Sequence, residues 1–250
     1  MIPIKNPLQL AGMRDAGRIT GEALLKARDA VKPGVSTYEL DKIIHDYIIA
    51  CKARPSFLNY SGFPASACIS VNDEVIHGIP NKRIILKEGD IVKIDVGAFI
   101  GGYHGDSANT FPVGHVSEEA LRLIEATKRS FELGVEAASQ PGARLGDVGA
   151  AIDGYVTKMG YSTVKKFVGH GIGQDLHEDP NVPNFGTAGR GVRLCNGMTI
   201  AIEPMVNAGG AGVYVLPDGW TVKTTDGSLS AHYEHTVALT ADGPILLTKV

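Results

Sequence analysis

Two segments of this 250-residue chain spell nearly the same apolar strand, 108 positions apart, and each ends in a carboxylate. Gly89-Asp90-Ile91-Val92-Lys93-Ile94-Asp95 aligns with Gly197-Met198-Thr199-Ile200-Ala201-Ile202-Glu203. The same offset carries Pro33-Gly34 onto Pro141-Gly142 and Tyr47-Ile48 onto Tyr155-Val156. A repeat of that length is too long for a solenoid unit. It implies two similar half-domains facing each other, each offering an acid to their junction. Acids aimed at one another repel unless a cation lies between them, so the repeat already points toward a metal enzyme.

Element signals recur in the same order in both halves. Apolar residues from Leu10 to Val31 have helical spacing that Pro33-Gly34 ends, and Ser36 with Glu39 forms a capping box for a second helix. Strands are expected at Ala67 to Val71, Ile91 to Ala98 and Tyr103 to Phe111, the last two joined by Gly101-Gly102. In the second half, Ser117 opens a helix running to Ala138, Pro141-Gly142 ends it, and another follows over Leu145 to Met159. Strands are then expected at Thr163 to Gly169, Met198 to Val206 and Ala231 to Leu239. This is an α+β pattern with antiparallel strands at its core and helices flanking them. The halves, about 1–112 and 113–250, meet near Val113-Gly114 without a linker or low-complexity run. One domain over 1–250 is therefore expected.

Bulk properties exclude several classes. Hydrophobic content of 44% and charged content of 20% describe an ordinary globular chain. A net charge of −3 gives no reason to expect nucleic-acid or anionic-membrane binding. Cys51, Cys68 and Cys195 are widely spaced, which argues against a disulfide framework or zinc ribbon and for a reducing compartment. The N-terminus has no apolar signal region and no run is long enough to span a bilayer, so the cytoplasm is the expected location.

If Gly101-Gly102 is a two-residue turn, Asp95 lies opposite Ala108 and Asp106 opposite Gly97. The two acids then share one face as diagonal neighbours, roughly 7–8 Å apart at the backbone. Asp95 lies within an apolar strand, where an unpaired acid is costly. Glu203 occupies the matching place in the repeat, and Glu234 lies in the polar cluster His232-Tyr233-Glu234-His235. His77, His170 and His177 sit among glycines or beside acids, and His170, between Gly169 and Gly171, can approach a partner closely. Four acids carry about four negative charges, which two divalent cations would balance. An oxygen-rich set with one imidazole favours manganese, iron or cobalt, with zinc also allowed, and paired metals suit hydrolysis.

Ile76-His77-Gly78-Ile79-Pro80, Ile94-Asp95-Val96-Gly97, His104-Gly105-Asp106, Gly169-His170-Gly171-Ile172-Gly173, Ile202-Glu203-Pro204 and Tyr233-Glu234-His235 together resemble the short, type I methionine aminopeptidases. The resemblance covers essentially the whole chain and implies the pita-bread fold. It makes Asp95, Asp106, His170, Glu203 and Glu234 the ligands of two divalent ions, with Asp106 and Glu234 bridging. It implies that a bridging hydroxide attacks the scissile carbonyl, Glu203 accepting its proton. His177 would hydrogen-bond that carbonyl and His77 the leaving amide. Tyr60, Phe63, Cys68, Leu176 and Trp220, with Phe57 beside them, match the methionine pocket. Leu176 stands where the family often has an aromatic side chain, and Phe63 where a tyrosine is common.

The implied substrate is a newly made chain with methionine first and a small residue second, met by a monomer in transient contact with the ribosome. Related classes fit less well. Type II enzymes insert a helical subdomain between the last two acids, yet Glu203 and Glu234 are 31 positions apart. Prolidase-like and aminopeptidase P-like enzymes carry a preceding domain, and creatinase-like hydrolases lack the ligands. A catalytically inactive module that binds peptides or ribosomes is the alternative of a different kind.

Overall fold

The computed structural model describes residues 2–250. Helix α1 (Pro7–Ala30) starts at Asn6, whose side chain accepts from the Gln9 amide while Gln9 reaches back to the Asn6 amide. Helix α2 (Thr37–Ala50) has the expected Ser36/Glu39 box. Strands β1 (Arg54–Pro55), β2 (Ala67–Val71), β3 (Glu74–Ile76), β4 (Ile91–Ile100) and β5 (Tyr103–Pro112) complete the first half. Helices α3 (Glu118–Ala138), capped by Ser117, and α4 (Leu145–Lys158), begun by Asp147 reaching back to the Arg144 amide, open the second. Ten short strands follow: β6 (Ser162–Thr163), β7 (Gly169–Gly171), β8 (Glu178–Val182), β9 (Thr199–Ile202), β10 (Met205–Asn207), β11 (Val213–Val215), β12 (Val222–Thr224), β13 (Ser230–His232), β14 (His235–Thr240) and β15 (Gly243–Leu246).

The sequence offset reappears in the backbone. Helices α2 and α4 begin at 37 and 145 and end at 50 and 158, and β4 and β9 begin at 91 and 199. The isolated bridges Ser36↔Ile85 and Arg144↔Arg193 match at the same spacing. Each pair of helices covers its own apolar cluster. Leu40, Ile44 and Ile48 pack on Ile69, Ile94 and Val96 in one half, and Phe131, Val148 and Ile152 pack on Ile200, Ile202 and Val237 in the other.

All strand pairings are antiparallel. Strand β4 pairs with β5 along one edge and with β2 and β1 along the other. Gly101 and Gly102 both have positive φ, 61° and 89°, as a tight two-residue hairpin turn requires. Asp95 therefore faces Ala108, and Asp106 faces Gly97, in the register the turn implies.

The second half departs from the expected long strands. Met198 to Val206, Ala231 to Leu239 and Thr163 to Gly169 are each interrupted. The reason is that all three segments pass from one sheet into another. Strands β6, β10 and β13 form one sheet, whereas β7, β9 and β14 belong to the five-stranded sheet β15-β14-β9-β7-β8. Pro204, with no N–H to give, marks the crossing between β9 and β10, and its carbonyl accepts from the Tyr233 amide at 3.3 Å. Glu203 and Glu234 lie at these crossings.

The halves are bonded where β5 meets the β13–β14 segment. Glu234 N donates to Ala108 O at 2.8 Å, and Asp106 N donates to Thr236 Oγ1 at 3.0 Å. Behind β5, α1 comes unusually close: a Cβ on Gly105 would lie 2.9 Å from Gly17 Cα and 2.8 Å from Thr20 Oγ1. Thr20 Oγ1 also accepts from the Ala98 amide, so the helix is tied to the hairpin that carries Asp95 and Asp106. Gly105→Ala should overpack this contact and lower stability by about 1–3 kcal/mol. Denaturant unfolding checks it, and an unchanged midpoint would contradict the close approach.

Candidate metal centre

The hairpin β4–β5 delivers Asp95 and Asp106, β7 delivers His170, and the two strand crossings deliver Glu203 and Glu234. All five line one cavity, together with His77, His177, Phe57, Tyr60, Phe63, Cys68, Leu176 and Trp220. Every residue singled out from the sequence is thus gathered in a single place. The donor atoms of Asp106, His170 and Glu234 lie within 4.8 Å of one another, as do those of Glu203, His232 and Glu234. Glu234 is common to both groups. Asp95 belongs to neither, though its charge acts directly on Asp106, Glu203 and His232.

His170 has the orientation of a ligand. Its Nδ1 lies 2.8 Å from the Gly171 carbonyl, an acceptor, so the ring proton sits there and Nε2 keeps its lone pair. That nitrogen is 3.7 Å from Asp106 Oδ2 and 3.6 Å from Glu203 Oε1, too far for hydrogen bonds and suited to sharing a cation. Glycine at 171 is required, because a Cβ there would sit 2.1 Å from Asp179 O.

The acids are strained electrostatically. Burial pushes the Asp95 carboxyl up to about 7, with Glu203 adding to the shift and His232 opposing it. Burial raises Glu203 to about 8. Asp106 and Glu234 are held well above the usual carboxylate range by burial and by their acidic neighbours. Asp95 Oδ1, Asp106 Oδ1 and Glu234 Oε1 are buried with no hydrogen-bond partner. Buried orphaned oxygens of this kind are rare, and cations would satisfy all of them together. The residues present fit a metal centre.

Two further histidines face the cavity. His177 Nδ1 lies 2.7 Å from the Tyr60 hydroxyl, and its ring centroid is 4.2 Å from that of His170. A hydroxyl donating to Nδ1 leaves the proton on Nε2. His77 follows β3 at φ 59°, a left-handed backbone that side-chain-bearing residues rarely adopt and that tends to mark functional sites. The next residue must be glycine, since a Cβ on Gly78 would meet Ile69 O at 2.3 Å. Burial lowers His77 to about 4, with His232 and His177 contributing.

The apolar wall is built from both halves. Phe63 packs edge-on to Trp220 at 5.2 Å, and Trp220 lies 6.3 Å from the His77 ring. Cys68 stands opposite Asp95 in the β2–β4 register, so the slot ends against the acids. Phe57 also joins the apolar cluster formed by Met13, Cys68 and Leu176, and serves packing as well as the wall. Sequence reasoning missed His232. Its signal was present, because it stands two positions before Glu234 in a segment with strand alternation.

No helix among the described residues is long and apolar enough to cross a membrane. Residues 11–241 match the model of metallopeptidase family M24. The chain is 53% identical over 248 residues to the methionine aminopeptidase of Clostridium acetobutylicum, covering 99% of both. It is 50% identical to methionine aminopeptidase 1 of Bacillus subtilis over the full length of each. Among solved structures, the methionine aminopeptidase of Rickettsia prowazekii superposes with a TM-score of 0.97 at 43% identity, covering 100% of each chain. The architecture is thus the pita-bread fold, and the chain belongs to metallopeptidase family M24.

Proposed function

We propose that this protein is a methionyl aminopeptidase that removes the first methionine from newly made chains whose second residue is small. The observation that carries this reading is a single cavity where a cluster of buried, orphaned carboxylate oxygens closes off an apolar slot. The slot suits an unbranched thioether, with Cys68 and aromatic rings as soft, adaptable neighbours. The acids beyond it attract the free amine that only a first residue has.

Asp95, Asp106, His170, Glu203 and Glu234 would hold two divalent ions, of manganese, iron or cobalt, or zinc. When bound, these offset the negative charge and make a water acidic enough to attack near neutral pH. The remaining work falls to this chain's own groups. Glu203, whose carboxylate is basic for its type, accepts the proton of the attacking water. His177 donates from Nε2 to the scissile carbonyl as negative charge grows on its oxygen, with Tyr60 holding the other nitrogen. Burial keeps His177 in its neutral form, so this donor is an imidazole rather than an imidazolium. His77, also neutral, contacts the departing amide nitrogen. Residues 1–250 act as one catalytic domain of two pseudo-repeat halves, about 1–112 and 113–250, in a cytoplasmic monomer that meets its substrates beside the ribosome.

Chelation should abolish release of methionine from a Met-Ala or Met-Gly peptide, and added manganese or cobalt should restore it. No metal-dependent release would favour the inactive binding module instead. Glu203→Gln keeps the shape but not the basicity and should lower kcat by about 10²–10⁴-fold. His77→Ala should slow turnover while metal affinity, read by calorimetry, stays close to wild type. Full turnover in either variant would contradict the assigned role.

The metal-free protein should also respond to pH. Asp95 and Glu203 have folded-state pKa values near 7 and 8, above those of an unfolded chain. The folded state therefore keeps protons that the unfolded state has released. Buried His77, His104, His170, His232 and His235, lowered to about 3 or 4, oppose this trend below their ordinary value of 6.5, so the acids govern above it and stability falls as pH rises from about 7 to 8. Thermal melts of chelated protein at pH 7 and pH 8.5 should show the lower midpoint at pH 8.5. The gap should narrow once metal is added. A midpoint that rises with pH in the chelated protein would remove the case for strained acids.

A further inference from the structure

His232 ends β13 beside Glu203, 1% exposed, with neither ring nitrogen hydrogen-bonded. A buried imidazole without partners is uncommon in a native fold, and its backbone shows that its place is held firmly. Thr110 Oγ1 accepts from the His232 amide at 2.9 Å and donates to the His232 carbonyl at 2.8 Å, clamping β13 to β5. On the other side, β13 pairs with β10, with His232 opposite Met205.

The ring is aimed at Glu203. His232 Nε2 lies 3.5 Å from Glu203 Oε2, while His170 Nε2 lies 3.6 Å from Oε1. The catalytic carboxylate thus has an imidazole on each oxygen, and the two imidazoles differ in kind. The Gly171 carbonyl claims the ring proton of His170 at Nδ1 and frees its Nε2 to bind a cation. His232 has no acceptor at Nδ1. The carboxylate oxygen facing its Nε2 is the best acceptor within reach, and it draws the proton to that nitrogen.

We propose that His232 is a positioning residue for Glu203: its Nε2–H holds Oε2 and leaves Oε1 turned toward the metal and the incoming proton. This rests on the role given to Glu203 in the peptidase reading. The present 3.5 Å is longer than a good hydrogen bond, and a small rotation of either side chain closes it. A carboxylate pinned at one oxygen has less orientational freedom to lose when the other binds a cation, as outer hydrogen bonds to metal ligands generally ensure.

Three proteins test this: wild type, His232→Ala, and His232→Gln, whose amide N–H reaches toward the same oxygen. Loss of the donor in His232→Ala should lower kcat and manganese affinity by about 10–100-fold, with KM for a Met-Ala peptide little changed. The glutamine variant should recover most of both. Nitrogen-15 NMR of zinc-loaded wild type should find the His232 proton on Nε2, a readout independent of turnover and of whether the alanine variant folds. Wild-type kcat and affinity in His232→Ala, a glutamine variant no better than alanine, or a zinc-bound, unprotonated Nε2 would each overturn the proposal. A wild-type protein that binds manganese but releases no methionine would sink the peptidase reading alone, and the NMR and affinity measurements would still judge His232.

Discussion

Four carboxylates share a buried space too small to hold them ionised together, and the rest of the molecule is arranged to keep them there. Burial raises all four above the usual carboxylate range, and acidic neighbours add to the rise at Asp95, Asp106 and Glu234. The acids arrive on different strands from opposite halves. The scaffold must therefore supply the free energy that holds like charges together until cations bind. It does so through two separate apolar cores, one per half, each sealed by its own helix pair.

The junction itself combines hydrogen bonds with two apolar clusters shared by the halves, one joining Met13 and Cys68 to Ile172 and Leu176, the other Val75 and Ile76 to Val164 and Met205. Asp106 and Thr236 exchange bonds, as do Ala108 and Glu234, so the backbone at Asp106 and Glu234 is fixed by the opposite half. Strand crossings add a second device. A residue in the middle of a regular strand can face only one of two sides, whereas one at a crossing points into the gap between two sheets. Glu203 and Glu234 occupy crossings, and Asp95 and Asp106 occupy a regular hairpin. The two halves have thus reached one cavity by different local means despite their common repeat.

The first half of the site was legible because local rules governed it. Two adjacent glycines set the turn, the turn set the register, and the register put Asp95 and Asp106 on one face. Helix boundaries were equally local, following from Ser36, Ser117 and the Pro-Gly stops. What stayed hidden was non-local. Pro204 breaks β9 from β10 in a way sequence could suggest, but only the three-dimensional pairing of β6, β10 and β13 shows that neighbouring segments bend at the same level. Motif resemblance drew attention to glycine-flanked His170 and passed over His232, whose neighbours Ala231 and Tyr233 carry no such mark. Its significance lies in a distance to Glu203, 29 positions away in the chain.

The same distinction explains why the histidines of this cavity divide the work. Each imidazole is neutral here, kept so by burial, so charge cannot separate their roles. The partner at Nδ1 does. A carbonyl at His170 leaves Nε2 free to bind a cation, and a tyrosine hydroxyl at His177 allows Nε2 to donate. A chain with several chemically identical rings can thus separate cation binding from proton donation by one hydrogen bond apiece. The acids set where reaction occurs, and these small second contacts decide what each ring contributes to it.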